Sequence, residues 1–356
     1  MQLVARLHAA SDIRVHEEAP PIVGPGEVLL RVTAVGLCGS DLHWYTDGAI
    51  GETRLDRPLV LGHEIGGVIE DGPRRGTRVA VDPADPCGDC AICRGGHEEL
   101  CTAMRFAGHG VTDGGLRRFM SWPEPHLRPV PDSIGDAEAC LLEPLGVALH
   151  AIDLGGIAPG MRAAVIGCGP IGLLLIRALR AAGIDDIFAT DLLPHRVEAA
   201  RVAGARHAVQ ARSGADDAGG REGDIAGYDA SEPPLAEAEA EAEAEVVFDC
   251  DGGESAVEAA VRVAAPAGRV VLVGIPADDR TSFTASTARR KGLTLIVSRR
   301  MTAPDLDRAI DLAAGGRIEL SSLITDRFAI EDSQQAFAAL AARRGLKVVV
   351  QPGGGT

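Results

Sequence analysis

The sequence predicts an α/β protein of two domains, one of which is built on a doubly wound parallel sheet. Its 356 residues exceed the usual size of a single domain. Residues 162–183 read as a short buried strand, a glycine-rich turn and an apolar helix. Further apolar runs follow, separated by turn residues or helix-like stretches, as β-α-β crossovers require. The opening of the chain is instead rich in strand-like segments.

The glycine-rich turn has the spacing of a dinucleotide-binding site. Gly167, Gly169 and Gly172 form G-x-G-x-x-G between the strand AAVIG and the helix LLLIRALRAAG. Glycines let the backbone turn tightly and approach a pyrophosphate, which the N–H groups at the start of the helix then bind. We predict that this turn, with Pro170 and Ile171, binds the cofactor. The alternative is a strand-to-helix turn without a ligand.

Asp191 indicates which dinucleotide is used. It ends the strand-like run IFATD, nineteen residues after Gly172. An acidic side chain at this point accepts hydrogen bonds from the ribose of NAD and repels the 2′-phosphate of NADP. Arg196, five residues later, is the side chain that would receive that phosphate. The sequence therefore predicts NAD, with NADP as the less favoured cofactor.

Four later runs are predicted to be strands of the same sheet. The stretch between Ala211 and Glu245 stands where a crossover helix is expected, and its structure could not be assigned from its Gly, Asp and Ala/Glu repeats. The alternating run from Ala236 to Glu245 is interpreted as a solvated surface helix or a mobile loop. The predicted strands are HAVQ (207–210), VVFDC (246–250), RVVLVG (269–274) and LTLIVS (293–298).

Four cysteines with the spacing C-x2-C-x2-C-x7-C predict a structural zinc site. Four thiolates on one short loop surround a tetrahedral zinc ion and leave no coordination position open. The competing interpretation is a pair of disulfides, which need an oxidising compartment. Residues 1–18 show no basic stretch followed by an apolar run, so we expect a cytoplasmic protein with reduced thiols. The cysteines are Cys87, Cys90, Cys93 and Cys101.

Composition argues against two classes of partner. The formal net charge is −16 and no long Lys/Arg run occurs, which disfavours nucleic acid and anionic membranes. The longest uncharged apolar stretch, 163–176, contains three glycines and a proline. It is shorter than the roughly 20 residues of a membrane span. We therefore expect a small-molecule ligand, with neither nucleic acid nor membrane as partner.

A second, open metal site is predicted from three separate segments. Cys38 begins CGSDLH after the strand-rich opening, and His63 and Glu64 follow PLVLG (58–62), which is read as an apolar strand. Glu143 stands just before the nucleotide-binding half. Cys38, His63 and one of the two carboxylates would give three protein ligands and leave one position for water or substrate. Each residue alone has a structural alternative, and the choice of glutamate stays open.

Together these motifs resemble one family. CGSDLH, GHE, the four-cysteine lobe, EPLGVALHA and GCGPIG occur in the order typical of zinc-dependent medium-chain dehydrogenases/reductases, over essentially the whole chain. Within that family the sequence resembles the sorbitol dehydrogenase branch through Glu64, Glu143 and SRRMT (298–302). A narrower resemblance, to the L-idonate 5-dehydrogenase group, is carried by GLCGSDLHWYTDG, RPLVLGHE, CTAMRFAG and DGGLRRFM.

The resemblance implies the domain organisation. A GroES-like β-barrel catalytic domain is expected over 1–147, with the structural-zinc lobe at about 85–103. A Rossmann NAD-binding domain is expected over 148–298, and 299–356 is expected to return to the first domain. The catalytic zinc and the nicotinamide would meet in the cleft between the two domains.

The resemblance also implies a reaction, the reversible NAD-linked oxidation of a secondary alcohol on a polyhydroxylated chain. Zinc would lower the pKa of the substrate hydroxyl. Ser40 would take the hydroxyl proton and pass it through the cofactor ribose to His43. Glu143 would bind the zinc directly or orient its water. The alternative role of Ser40 and His43 is to form hydrogen bonds within the turn.

For the substrate, the resemblance implies a pocket that includes Trp44, Arg105, Phe106 and Arg300. A guanidinium binds a carboxylate through two parallel hydrogen bonds, which would favour an aldonate, and Arg105 is the discriminating residue. Its alternative role is a surface salt bridge. The implied reaction is oxidation of L-idonate to 5-keto-D-gluconate, with sorbitol, xylitol or another alcohol as the alternative substrate. A catalytically silent NAD-binding protein is the non-enzymatic alternative.

Two further expectations follow from the resemblance. Homodimers or homotetramers are expected, with strands near Leu272 extending a sheet across a two-fold axis. The segment His109–Asp113 is shorter than the resemblance leads one to expect, and it is predicted to border the substrate site.

Overall fold

The chain folds into two compact units. The structure, a computed structural model, describes residues 1–211, 243–276 and 280–353. Each unit has its own hydrophobic core, as expected of a domain. The first unit comprises Met1–Gly146 with Met301–Thr356, and the second comprises Val147–Arg300.

Strands and helices are numbered along the chain. The strands are β1 Gln2–Ala9, β2 Asp12–Glu18, β3 Glu27–Gly36, β4 Ala49–Ile50, β5 Thr53–Arg54, β6 Glu64–Ile69, β7 Arg78–Val81, β8 Ala84–Asp85, β9 Arg105–Phe106, β10 Phe119–Pro123, β11 Leu127–Pro129, β12 Ala163–Ile166, β13 Ile187–Asp191, β14 His207–Gln210, β15 Ala244–Asp249, β16 Ala264–Leu272, β17 Thr294–Val297, β18 Ile324–Ala329 and β19 Lys347–Gln351. The α-helices of the described residues are α1 Gly39–Asp47, α2 Ala91–Arg94, α3 Asp136–Ala139, α4 Leu142–Gly155, α5 Pro170–Ala181, α6 Pro194–Ala203, α7 Glu254–Val263, α8 Ala285–Lys291, α9 Ala303–Ala314 and α10 Ser333–Ala341. Short 3-10 turns occur at Glu98–Leu100, Glu124–His126, Ser321–Leu323 and Ile330–Asp332.

β3 organises the main sheet of the first unit. It pairs antiparallel with β6, β10 and β19, in a sheet whose main order is β11-β7-β6-β3-β19-β18. Its side chains Leu30, Val32 and Val35 are fully buried in the core. β1 and β2 form a separate antiparallel hairpin. Because β19 pairs with β3, the C-terminal segment returns to this sheet, and Lys347 lies beside Gly36 at the end of β3.

The second unit is a six-stranded parallel sheet in the order β14-β13-β12-β15-β16-β17. Its central strands β12 and β13 are buried along their whole length, which is why they read as continuous apolar runs. From β12 to β14 successive strands are added toward one edge of the sheet, and from β15 to β17 they are added toward the other. Open α/β sheets bind ligands at such a reversal, beside the carboxyl ends of the strands. The predicted α/β class with a doubly wound sheet is confirmed, and β13 and β14 have the predicted bounds.

One predicted strand is wrong. Residues 58–62 form an irregular segment, and the strand begins only at Glu64. The cause is local, because Gly62 has a φ of 90°, in the left-handed region that favours glycine. Its N–H donates to the Asp41 carboxylate at 3.1 Å instead of to a neighbouring strand.

The strand that ends at Leu272 is not at an edge of the sheet. β16 is hydrogen-bonded to β15 on one side and to β17 on the other. The expectation that strands near Leu272 extend the sheet to another subunit is therefore wrong for β16, since its bonding positions are already filled. Among the described residues the edge strands of this sheet are β14 and β17, and the oligomeric state stays a prediction.

The predictions for the acidic repeat fall mostly outside the described residues. Residues 212–242 are not described, and Ala244 and Glu245 begin β15. In the parts of the chain that the structure describes, no helix combines the length and apolar character needed to cross a bilayer.

Candidate metal centres and cofactor site

Asp41 fixes the segment that carries Cys38. Cys38 precedes α1 in an extended conformation, and its N–H donates to Asp41 Oδ2 at 3.0 Å. A side chain three residues into a helix commonly binds the free N–H of the capping residue in this way. The other oxygen, Oδ1, accepts the N–H of Gly62 at 3.1 Å. Asp41, which is buried, therefore joins the segment before α1 to the segment before β6.

His63 lies one residue before β6 and is held by the same carboxylate. Its Nδ1 lies 3.7 Å from Asp41 Oδ1, and the residue is buried. Burial opposes a charge on the imidazole, but Asp41 and Cys38 outweigh it and raise the pKa of His63 well above its ordinary value. Carboxylates that bind one ring nitrogen orient the other toward a metal in many metalloproteins.

Glu64, the first residue of β6, forms a buried ion pair with Lys347. Lys347 Nζ donates to Glu64 Oε1 at 2.6 Å and also contacts Oε2. Burial opposes the charge on the amine, but Glu64 outweighs it and raises the pKa of Lys347. Gly36 makes room for the pair, because a Cβ there would overlap Glu64 Oε2 and lie 2.9 Å from Lys347 Cε.

Cys38, His63 and Glu64 form a group that fits a zinc ion. Each offers one ligand atom, and the three atoms lie within 4.8 Å of one another. Ligands bonded to zinc at roughly 2.0–2.3 Å stand about 3–4 Å apart, so small side-chain movements complete the site. One oxygen of Glu64 can bind the metal while the other accepts from Lys347, since a carboxylate has about four lone-pair sites. Three protein ligands leave a fourth position open.

Glu143 lies near this group without belonging to it. It is the second residue of α4 and is buried. Burial raises the pKa of Glu143 to about 7, against the opposing effect of His63 and with a further contribution from Glu64. Of the two carboxylates that the sequence left open, Glu64 is the one that clusters with Cys38 and His63.

The four cysteines of the lobe surround one point. Cys90 Sγ lies 3.4 Å from Cys93 Sγ, and Cys87 Sγ lies 3.5 Å from Cys101 Sγ and 4.0 Å from Cys93 Sγ. Sulfurs about 2.3 Å from a tetrahedral zinc are about 3.8 Å apart, whereas a disulfide is about 2.05 Å long. All four are free thiols, so the disulfide interpretation is wrong and the group fits a closed zinc site.

Ser40 and His43 lie one turn apart on α1. Both are half-buried. His43 Nδ1 lies 3.2 Å from Asp47 Oδ2, one turn further along the helix. This contact is local, as expected if His43 has only a structural role. It involves Nδ1 and leaves the other ring nitrogen out of the contact. The proton relay stays a prediction.

Two predicted substrate residues pack against other aromatic rings. The ring of Phe106 lies 5.5 Å from that of His63, tilted by 48°. Trp44 is only 1% exposed, and the His109 ring meets it edge-on at 5.5 Å. His109 belongs to the segment predicted to border the substrate site. It is half-buried, so His109 is more accessible than the Trp44 ring beside it.

Arg105 forms salt bridges with two carboxylates of the chain. Such a salt bridge is the alternative to its predicted role of binding a substrate carboxylate. Its Nε donates to Asp85 Oδ2 at 2.8 Å and its Nη1 to Glu27 Oε1 at 2.7 Å. Two carboxylates already bind this guanidinium, and a substrate carboxylate would have to compete with both. Arg300 ends the second unit with a φ of 62°, a conformation uncommon outside glycine. Its role toward a substrate stays a prediction.

The glycine-rich turn of the second unit has the geometry its motif requires. Gly167 has a φ of 92°, and Gly169 precedes α5, whose first residues are Pro170 and Ile171. A Cβ on Gly172 would overlap the carbonyl oxygen of Gly167. The backbone can therefore pass this closely only with glycine at position 172, which leaves the start of α5 accessible to a pyrophosphate.

Asp191 and Arg196 lie beside this turn. Asp191 ends β13, and its two oxygens accept the N–H groups of Cys168 at 2.7 Å and Leu193 at 2.8 Å. Arg196 Nη1 lies 3.7 Å from the place that a Cβ on Gly169 would occupy. The structure thus brings all the predicted cofactor residues to the carboxyl ends of β12 and β13.

Two residues that contact the open metal group were not predicted: Asp41 and Lys347. Asp41 had a recognisable signal, since it stands three residues after Cys38, the spacing of a helix cap. Lys347 had a weaker one. It is one of only two lysines in the chain, whose other basic residues are arginines, and it begins the apolar run KVVVQ. Nothing in the sequence connects it to Glu64, which is 283 residues away.

Comparison with known proteins agrees with both units. Residues 24–132 match the alcohol dehydrogenase GroES-like domain, and residues 170–315 match the zinc-binding dehydrogenase family. The chain is 31% identical to sorbitol dehydrogenase of Bacillus subtilis (strain 168), covering 98% of this chain and 96% of that protein. It is 33% identical to probable D-xylulose reductase A of Neosartorya fischeri, covering 93% and 91%.

A solved structure shares the whole fold. The crystal structure of L-idonate 5-dehydrogenase from Escherichia coli superimposes with a TM-score of 0.85 at 27% identity, covering 98% of each chain. The chain therefore belongs to the zinc-dependent medium-chain dehydrogenases, in their polyol dehydrogenase branch. It is an oxidoreductase that acts on CH–OH groups. The predicted family, fold class and zinc dependence are confirmed.

Proposed function

We propose that the chain oxidises a secondary hydroxyl group of a linear polyol or aldonate, with NAD as the acceptor. The observation that carries the proposal is the grouping of half-buried Cys38 with buried His63 and Glu64, which offers a metal three ligands and leaves one position for a substrate. The four-cysteine group is closed, so the chemistry belongs to the open group.

The residues of the chain divide the work at this site. A zinc ion held there would supply a Lewis acid that lowers the pKa of a substrate hydroxyl. Asp41 orients His63, and Lys347 holds Glu64 beside it. Ser40 would accept the hydroxyl proton and His43 would carry it to solvent, which is general base catalysis through a relay. Glu143 would orient a water or the substrate hydroxyl.

Asp191 supports NAD over NADP. Its carboxylate stands at the carboxyl end of β13, where a negative charge disfavours the 2′-phosphate. Arg196 lies against Gly169, so its positive charge is placed next to the turn that would bind the pyrophosphate. When bound, the nicotinamide ring would accept the hydride.

Different observations support two substrates. The engagement of Arg105 by Asp85 and Glu27 favours a neutral polyol such as sorbitol or xylitol. The names of the relatives above 30% identity, sorbitol dehydrogenase and D-xylulose reductase, agree with it. Oxidation of L-idonate to 5-keto-D-gluconate is the second candidate, supported by the structural likeness to L-idonate 5-dehydrogenase.

Initial rates on a panel of polyols and aldonates test the proposal. The zinc-loaded protein would be assayed on sorbitol, xylitol and L-idonate, each with NAD and with NADP. We expect NAD-linked oxidation of at least one polyol, lost on chelation and recovered with zinc. Binding of NAD without oxidation of any member of the panel would contradict the proposal and favour a silent dinucleotide-binding protein.

A further inference from the structure

A neck of two short strands joins the four-cysteine lobe to the rest of its unit. β8 precedes the first cysteine of the lobe and β9 follows the last. The two strands pair antiparallel, with Asp85 opposite Arg105. A ladder of two residues per strand is too short to be stable alone. The neck, defined here as Ala84–Asp85 with Arg105–Phe106, therefore depends on its side chains and on the lobe that it closes.

Arg105 fastens the neck to the main sheet. It donates to Asp85 across the neck and to Glu27 at the start of β3. Its guanidinium carbon lies 4.9 Å from the ring centroid of Trp122 in β10. Glu27 also accepts a hydrogen bond from Ser121 Oγ at 2.5 Å. Single ion pairs that are partly exposed are weak, but here one planar group makes two charge-assisted bonds and a cation–π contact.

The neck also reaches the open metal group. Phe106, its last residue, packs against the ring of His63. The backbone then turns, with the N–H of His109 donating to the carbonyl of Phe106 at 3.3 Å, and His109 meets Trp44 of α1. α1 begins directly after Cys38. His63 therefore has a neighbour in the neck, and the helix that follows Cys38 has a neighbour in the loop after the neck.

The lobe itself has little apolar packing to hold its shape. Between positions 87 and 101 only Cys93, Glu99 and Cys101 are buried, and Leu100 is 40% exposed. Small domains without a sufficient core rely on a metal or on disulfides, and the cysteines here are free. A zinc ion held by the four cysteines would therefore stabilise the pairing of β8 with β9.

We propose that the lobe supports the catalytic metal site: through the neck, Arg105 positions Phe106 and His109 against His63 and α1, so that loss of the lobe ion loosens the open group. In this proposal Arg105 is a positioning residue that acts through Phe106 and His109. The inference rests on the proposed function, which makes the open group the catalytic site.

The two tryptophans of the chain stand at the two ends of this connection. Trp122 lies beneath Arg105, and Trp44 lies beside His109. The fluorescence of Trp44 can be isolated by a subtraction. The emission of each variant that also carries Trp44→Phe is subtracted from the emission of the same variant with Trp44 intact. Release of zinc from the open group can be followed as the absorbance change of a chromogenic chelator in excess. The kinetic phase that belongs to the open group is the one that Cys38→Ser, which removes a ligand, abolishes.

Arg105→Gln and Arg31→Gln form a matched pair of variants. Arg31 makes an ion pair of similar length and exposure in the same unit, with Glu70, which is not part of the neck. We expect Arg105→Gln to release the open-group ion about fivefold faster, the factor that corresponds to the loss of one partly exposed ion pair. We also expect it to shift the emission of Trp44, with neither effect in Arg31→Gln. Arg105→Lys should restore part of the behaviour because it keeps the charge.

Two further variants keep the test decisive. Cys101→Ser, which lacks a ligand of the lobe ion, should act in the same direction as Arg105→Gln. Asp85→Asn removes the charge of one partner of Arg105. It serves as the test variant if Arg105→Gln does not fold. Wild-type release and emission in Arg105→Gln or Cys101→Ser would overturn the proposal, as would equal changes in Arg31→Gln.

Failure of this inference is distinguishable from failure of the proposed function. Neither readout requires turnover, so the coupling can be measured even in a protein that oxidises no polyol. Absence of coupling in a protein that oxidises polyols normally would refute this inference alone.

Discussion

Lys347 Nζ lies 2.6 Å from Oε1 of Glu64, and both side chains are 1% exposed. The pair joins β19 of the C-terminal segment to β6, whose first residue follows His63. A buried ion pair adds little net stability compared with an apolar pair, but removal of one partner leaves a buried charge uncompensated. Lys347 therefore ties the end of the chain to the candidate catalytic metal group.

Lys347→Met should lower the free energy of unfolding by about 3–5 kcal/mol, because Glu64 keeps a buried charge without a counter-ion. Urea denaturation of the metal-free protein measures this, because zinc bound by Glu64 would itself compensate the charge of the carboxylate. The double variant Lys347→Met with Glu64→Gln should recover part of the loss, since neither side chain is then charged. Arg14→Met, which breaks the exposed pair with Asp12, is the control. A loss below about 1 kcal/mol, the value of a surface pair, would contradict the prediction.

Gly36→Ala should displace the same ion pair by sterics. The added Cβ would overlap Glu64 Oε2, and the backbone of β3 cannot retreat because it is paired on both sides. We expect the variant to retain only the zinc of the four-cysteine lobe. Metal analysis after gel filtration measures the ratio of zinc to chain. Gly39→Ala is the matched control, since a Cβ there meets no atom within 4 Å, and a full complement of zinc in Gly36→Ala would count against the account.

Asp249 predicts a pH dependence of stability in the second unit. Burial raises the pKa of its carboxyl from 3.8 to about 7, although Oδ1 accepts the N–H groups of Asp251 and Gly252. Because the folded state binds the proton more tightly than the unfolded state, the stability linked to Asp249 is fully present below about pH 4. It is lost as the pH rises to about 7.

Asp249→Asn keeps an acceptor oxygen and cannot ionise. The difference in unfolding free energy between Asp249→Asn and the wild type should increase with pH, in favour of the variant, by at most about 1.4 kcal/mol per pH unit up to pH 7. Above pH 7 the difference should stay constant. Denaturation at intervals between pH 5 and pH 9 measures it. Asp311→Asn, at an exposed position of α9, controls for the loss of a charge. An advantage of the same size at every pH would show that Asp249 ionises normally.

His43→Ala tests the proton relay. If His43 carries the proton from Ser40 to solvent, turnover should fall most at low pH, where hydroxide cannot replace the missing base. A loss of about a hundredfold is typical for removal of a general base. The pH profile of kcat for polyol oxidation measures this, with His97→Ala, exposed in the lobe, as the control. A profile of unchanged shape would remove His43 from the mechanism and leave it the helix contact with Asp47.

Elements that are specified by residues close together in the sequence were predictable. β13 reads as a continuous apolar run because parallel strands are covered on both faces, so its bounds follow from IFATD alone. The glycine turn was predictable because backbone approach excludes side chains at Gly172. The four-cysteine lobe was predictable since all its ligands lie on one short loop.

Long-range relationships were not predictable. Lys347 meets Glu64 across 283 residues, and no local pattern records that contact. The strand predicted over 58–62 was wrong because the conformation of Gly62 and the tertiary hydrogen bond from its N–H to Asp41 override an apolar run. The sequence left Arg105 with two possible roles, a substrate contact or a salt bridge, because its partners Glu27 and Asp85 come from distant parts of the chain.

The most direct test of the central claim is X-ray diffraction from zinc-loaded crystals on both sides of the zinc absorption edge. We expect two anomalous peaks per chain. One should lie among the four cysteines, and the other should contact Cys38 Sγ, His63 and the Glu64 carboxylate. A map with the four-cysteine peak present and no peak between Cys38 and His63 would contradict the proposed catalytic site.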